Sequence, residues 1–391
     1  MYRLLCRFPF RRTKDGFMGL KLFSIATIYF LVGFVGQTYL VLHNAHGIFI
    51  MIFSDGTDFA DVVTGGLNVC LLAIHLFVPF SAIKEWKLLC EVFNKWAKFQ
   101  ERYLDVMKEY YEAKLFWWVI FVAISIPLGA FSVVILHRSI LYHEEWYHLL
   151  AYVFVLMPMA TLYAIWIFSL GEIITVADTI RHRTYEIIDM KDIEGKSMEL
   201  YNLRILWNDL SILVNFSSTA VACSMIFISA TGVVIFIASA YGFMQCLALG
   251  DERYFLFMNI LLVMGLVLGI PCEFGYRASL HAGTYILEML SSVNVMEQDE
   301  LSAREVDLFL QTVYANYPHV SYGGMVKINR ETITSLLSAT LTYLIVLLQL
   351  RVKKSPETNN STSSTPLEKN SFSVVTLSSV YRANLLFHRS E

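Results

Sequence analysis

Seven long apolar stretches, near residues 22–42, 63–83, 115–136, 149–171, 222–246, 255–273 and 333–350, alternate with polar segments along this chain. About 20 apolar residues are needed to cross roughly 30 Å of hydrocarbon, so each stretch predicts a membrane-spanning helix. The second opens among Thr64, Gly65 and Gly66. The fold class that follows is an all-α membrane protein with seven transmembrane helices.

The polar segments are patterned too. In 84–114, Trp86, Leu89, Phe93, Trp96, Tyr103, Met107 and Tyr110 recur every three or four residues, with charges between them. That spacing predicts a helix with one apolar face. Similar stripes run through Leu203, Leu206, Leu210, Leu213 and Val214, and through Val306, Phe309, Leu310 and Val313. Three apolar faces outside the spans must bury against something, and a packed helical domain beside the membrane is the expectation.

Charge sets the direction. Lys and Arg number six in 1–21, seven in 84–114, five in 177–221 and four in 274–330, which places 22 on one side. The connections on the other side carry Arg138 and Arg253, and the tail carries six more. The positive-inside rule puts the 22 in the cytosol. The amino terminus is then cytosolic, with residues 22–42 a retained anchor and not a cleaved signal. The carboxyl terminus is extracellular, although Arg351, Lys353 and Lys354 directly after the last span oppose this. Composition agrees with a membrane protein: 56% of residues are hydrophobic and 16% charged, against about 25% charged in soluble domains.

Several function classes are disfavoured. The direction is opposite to that of a G-protein-coupled receptor, and neither Asp-Arg-Tyr after the third span nor a final Asn-Pro-x-x-Tyr is present. Coupled transporters use ionisable groups at mid-depth and broken helices in related halves; neither is visible, though a secondary transporter stands as the alternative from another class. No paired aspartates, Ser-His constellation or His-Glu-x-x-His occurs, so an enzyme is not expected. The six cysteines show no metal or disulfide spacing. Neither a cofactor nor a nucleic-acid partner is indicated. The partners expected are the bilayer and a small molecule.

The last span ends Thr342-Tyr343-Leu344-Ile345-Val346-Leu347-Leu348-Gln349-Leu350. This resembles the signature of insect gustatory receptors, Thr-Tyr followed by five apolar residues, Gln and Phe, with Leu350 in place of Phe. Gly323-Gly324, Ile328-Asn329-Arg330 and Thr334-Ser335 resemble the approach to that family's final span. The resemblance implies a plasma-membrane, tastant-gated cation channel of chemosensory neurons, assembled as a homo- or heterotetramer. In such a channel the last helix of each subunit lines a central pore and the cytosolic helices join the subunits. It implies an apolar gate at Val346 and Leu350, with Gln349 beside it to solvate a passing cation, and Thr342 and Tyr343 packed against neighbouring helices. Val346 and Leu350 share a helix face by their i, i+4 spacing, and rings of such residues can close a pore by excluding water. An odorant receptor of the same superfamily is the nearest alternative. The sugar-sensing branch tends to carry an acid after Thr-Tyr, where this chain has Leu344.

The resemblance places the ligand pocket in the outer half of the bundle. Candidates at that depth are Tyr163 and Trp166 in the fourth span, Phe236, Tyr241 and Gln245 in the fifth, and Asn259 in the sixth. His75 in the second span is a candidate because a titratable group inside a membrane is costly without a role. Glu172 and Glu273 mark the ends of the fourth and sixth spans and read as solvated. Residues 351–391, rich in Ser, Thr and Asn, read as a disordered extracellular tail. Asn359 and Asn360 lie there in glycosylation context.

Overall fold

The computed structural model describes residues 10–12, 18–20, 25–54, 59–111, 146–190 and 195–354, together with 121, 124, 125, 128 and 132. The expected third span falls mostly outside these, though its described positions are helical. Strands β1 (Phe10–Arg12) and β2 (Met18–Leu20) form a short antiparallel hairpin. Nine α-helices follow among the described residues: α1 (Ile25–Ile52), α2 (Phe59–Met107), α3 (Trp146–Asp189), α4 (Lys196–Ala220), α5 (Ala222–Leu249), α6 (Tyr254–Ser279), α7 (Tyr285–Ser291), α8 (Glu300–Ala315) and α9 (Arg330–Lys354). Residues through Val346 make one compact unit. Leu347 opens a second, which continues as helix to Lys354.

Two helices are far longer than a bilayer is thick. At 1.5 Å per residue α2, with 49 residues, runs about 74 Å, and α3, with 44, about 66 Å. Each is therefore long enough to combine a span with an extension outside the membrane. In α2 the expected span and the stripe after it are one unbroken helix. Leu89, Cys90, Phe99 and Tyr103 are buried in the main core, and Trp96 stacks on Phe99 at 5.7 Å between centroids. Tyr110, expected on the same face, is exposed. The helix stops at Met107, and Lys108 adopts a left-handed φ of 59°, so Tyr110 no longer follows the stripe. The carboxyl-terminal half of α3 buries Ile173, Val176, Ala177, Ile180 and Ile187 at helical spacing. Among the described residues, three helical segments are long and apolar enough to cross a membrane by length and composition: Leu162–Asp189, Ala222–Leu249 and Tyr254–Ser291.

The extensions of α2 and α3 meet α4, α7 and α8 in a helical base. The α4 stripe is buried throughout, and so are Val306, Phe309 and Val313 of α8. Trp207 stands at the centre, fully buried, 5.9 Å from the Phe309 ring. Its Nε1–H donates to the carbonyl of Ala282 at 2.8 Å. Ala282 lies in a π-helical turn, Leu280–Thr284, between α6 and α7. A widened turn shifts the backbone pairing, and the indole takes up a carbonyl there.

Polar side chains close the helix ends. Lys196, 7% exposed, donates Nζ–H bonds to the carbonyls of Ile188 and Met190, both at 2.9 Å, and to Gln298 Oε1 at 2.6 Å. It thereby satisfies the carbonyl end of α3, where a positive charge is favoured. At the break between α4 and α5, Glu85 of α2 is 1% exposed. One carboxylate oxygen accepts the backbone N–H of Ser224 at 2.6 Å, and the other accepts its hydroxyl. In the sequence Glu85 is one of the charges between the apolar positions of 84–114. Its position at the start of α5, where unpaired N–H groups and a partial positive charge sit, explains the burial.

Candidate ligand pocket and pore helix

Between α2, α3, α5 and α6 lies a small apolar cavity of about 60 Å³. Leu71, Ile74, Met159, Tyr163, Ile235 and Met264 are among its lining residues. Tyr163 is 4% exposed, and its hydroxyl donates to the carbonyl of Val267 at 2.6 Å. The one polar side-chain atom that this tyrosine could offer is thus spent on α6, and the ring presents an apolar wall. Among the residues that line it, Tyr163 is the one named as a candidate from the sequence. The lining is mainly aliphatic and thioether, suited to an apolar molecule. Drug-sized sites run to about 300–1,000 Å³, so occupancy by such a ligand requires the walls to move. Met159 and Met264 are unbranched and adapt readily.

The other expected ligand residues do not all converge on this cavity. Trp166, 2% exposed, packs 5.8 Å from the ring of Tyr322, in the hairpin of β3 (Ser321–Tyr322) and β4 (Val326–Lys327). It therefore faces the segment that leads into α9. Its Nε1–H has no acceptor among the described residues. Gln245, itself buried, donates to the Tyr241 hydroxyl at 2.6 Å, one turn apart on α5. Phe236 and Asn259 are half-buried. His75 is 4% exposed, stacks on Phe34 at 5.0 Å and shares a 3.1 Å hydrogen bond with Thr38 of α1. Sequence reasoning missed the aliphatic lining, since Leu71 or Ile74 cannot be told from any other span residue without knowing which helices adjoin.

The hairpin and the start of α9 account for the residues that led to the family resemblance. Gly323 and Gly324 have φ of +59° and +79°, a left-handed pair that tight hairpin turns require and that glycine adopts without strain. Ile328 is 2% exposed and rests on Gly275 of α6, where an added Cβ would lie 2.9 Å from the isoleucine side chain. Asn329 accepts the N–H of Thr332 at 3.0 Å and so caps the helix. Arg330 donates to both oxygens of Glu273, each at 2.9 Å, and its guanidinium lies 4.5 Å from the Tyr276 ring. Glu273, expected to be merely solvated, also accepts from Arg277 at 2.7 Å.

The model of the 7tm Chemosensory receptor family matches residues 2–353. This chain belongs to that family. Its members are receptors and not enzymes. Among similar sequences, Gustatory and odorant receptor 22 of Anopheles gambiae is 26% identical over 308 residues, which cover 75% of this chain and 63% of that protein. Gustatory and odorant receptor 21a of Drosophila melanogaster is 30% identical over 168 residues, covering 41% of this chain and 36% of that protein. The chain thus spans less than two thirds of the length of either relative. Among solved structures, the insect olfactory receptor OR5 from Machilis hrabei, determined in complex with eugenol, shares the fold with a TM-score of 0.64. It is 13% identical, and the match covers 89% of this chain and 95% of that one. The chain is therefore an insect-type chemoreceptor of the all-α, seven-span class.

In this chemoreceptor α9 keeps much of its apolar surface uncovered. Leu337, Leu341, Tyr343, Ile345 and Val346 are 38–60% exposed. Thr342 is exposed, its hydroxyl bonded to the carbonyl of Ser338 one turn back. Among the described residues no neighbouring helix covers Thr342 or Tyr343, and Tyr343 is 60% exposed. Gln349 is exposed. The side chain of Leu350 lies outside the description, as do Asn359, Asn360 and the tail beyond Lys354.

Proposed function

We propose that this chain is a gustatory-type subunit of a ligand-gated, non-selective cation channel in the plasma membrane of chemosensory neurons. The observation that carries the reading is the exposure of α9. A bilayer covers exposed apolar side chains but not polar ones, and α9 is exposed on several faces with Ser338, Thr342 and Gln349 among its exposed positions. Four copies around a common axis would cover those faces with one another and with neighbouring subunits. Val346 and Leu350 would then form the apolar gate, Gln349 would stand beside it, and Thr342 and Tyr343 would meet adjoining helices. The base would lie in the cytosol with the amino terminus, and its exposed apolar residues, Met198, Tyr201 and Leu301 among them, would face other subunits. The stimulus would be a small, largely apolar molecule entering the Tyr163 cavity.

The test is electrical. Expressed alone and with candidate partner subunits, the receptor should carry a cation current during a tastant panel. Val346→Ser with Leu350→Ser should raise the current at rest. Unchanged gating and selectivity in that double variant would remove both residues from the pore. A second reading, an odorant receptor, is favoured by the double names of the relatives; a panel of volatile compounds delivered in air separates the two.

A further inference from the structure

Among the described residues, all side-chain hydrogen bonds and ion pairs from α9 to another helix are made by Arg330, to Glu273 of α6. The last residue before α9's cap, Ile328, also seats on α6, at a position where only glycine leaves room. Beyond the first turns the helix is largely exposed. The same α6 forms a wall of the ligand cavity through Val263, Met264 and Val267. Val267 and Glu273 are six residues apart, about 9 Å along the axis, and Pro271 lies between them. Proline removes a backbone hydrogen bond and bends a helix at that place, so the lower end of α6 can change its angle when the upper end is displaced. The hairpin samples other walls of the bundle as well. Tyr322 touches Trp166 of α3 and accepts from the Ser229 hydroxyl of α5, and the N–H of Val320 donates to Ser279 of α6.

We infer that the Glu273–Arg330 clamp, with the hairpin docked beside it, couples the ligand cavity to α9 and holds the closed state. Arg330 and Glu273 are positioning residues that touch neither the ligand nor the pore. A cavity of about 60 Å³ is smaller than a typical ligand site, so a ligand that enters must widen it. Widening it pushes α6 outward below Pro271, and the bidentate clamp carries the first turn of α9 with it. The side chains of Arg330 and Glu273 are 57% and 32% exposed. Ion pairs so exposed contribute little to folding, so removing the clamp leaves the fold intact. A gating equilibrium responds to energies of this small size, since even a tenfold bias corresponds to only about 1.4 kcal/mol.

This inference rests on the channel reading, and the test separates the two. On a Val346→Cys background, the rate at which the charged thiol reagent MTSET alters the ligand-free current reports opening at the gate. Surface amount is measured in parallel by biotinylation. Glu273→Gln and Arg330→Gln should each speed modification about two- to fivefold at unchanged surface amount. The double variant should match the single ones instead of multiplying their effects. If MTSET does nothing to Val346→Cys itself, the pore assignment fails. If the Cys variant reacts but the clamp variants only lower surface amount, or their effects multiply, the coupling role is overturned.

Discussion

Replacing Lys196 by Met tests whether the base is held by polar closure of helix ends or by its apolar core alone. The two side chains are similar in length, so packing of the stem is kept and the ammonium is lost. Three acceptors lose their donor. They are not equal in consequence. The Met190 side chain is exposed and Gln298 is half-buried, so water can replace the ammonium there. Ile188 is 9% exposed, and among the described residues its carbonyl keeps a long 3.4 Å bond from Gln298 Nε2, a weak substitute for the 2.9 Å ammonium bond. A buried acceptor left unpaired costs about 1–3 kcal/mol. Loss of the positive charge at the carbonyl end of α3 adds roughly 0.3–1 kcal/mol. Relief from burying an ammonium offsets part of this, and the expected net loss is about 1–3 kcal/mol. Thermal unfolding of the detergent-solubilised receptor should show the base melting several degrees earlier, while Lys196→Arg, which keeps the charge, should lose less. A Lys196→Met receptor as stable as the parent, or more so, would refute the reasoning. It would mean that the cost of burying the ammonium equals everything its three bonds return.

Further outcomes follow from local geometry. Gly324→Ala places a Cβ at φ +79° and should destabilise the hairpin by roughly 1–2 kcal/mol, seen as lower surface expression. Gly242→Ala puts a Cβ 2.6 Å from the ring of fully buried Phe257; overpacking of about 1–3 kcal/mol should appear in thermal unfolding, and Phe257→Leu in the same chain should recover part of it. Asp299 caps α8, and its hydrogen bonds from Ser302 hold its carboxyl below the usual value. The cap's contribution is therefore complete above the unfolded pKa of about 3.8 and is lost as pH falls through the lower folded value. Asp299→Asn should remove that acid sensitivity with little loss of stability at neutral pH, while Asp299→Ala should cost about 1 kcal/mol. Tyr163→Phe frees the Val267 carbonyl toward the cavity, so ligands with a hydrogen-bond donor should gain potency over their apolar analogues in current recordings.

Elements that depend on local pattern were legible in the sequence. The apolar stretches marked helices, of which three segments among the described residues are long and apolar enough to cross a membrane, and the stripe from Leu203 to Val214 named the buried face of α4 residue by residue, because burial on one face of a helix repeats every three to four positions. The Thr342-Tyr343 to Leu350 pattern pointed to the family that residues 2–353 proved to match. What the tertiary structure decided is adjacency. Glu85 and Glu273 are ordinary carboxylates in the sequence; one is buried because the start of α5 lies beside it, and the other is clamped because Arg330 arrives from 57 positions away. Trp166 and Tyr163 sit one turn apart on the same span, yet one faces the hairpin and the other the cavity. Periodicity says which side of a helix is covered, and only the packed chain says what covers it.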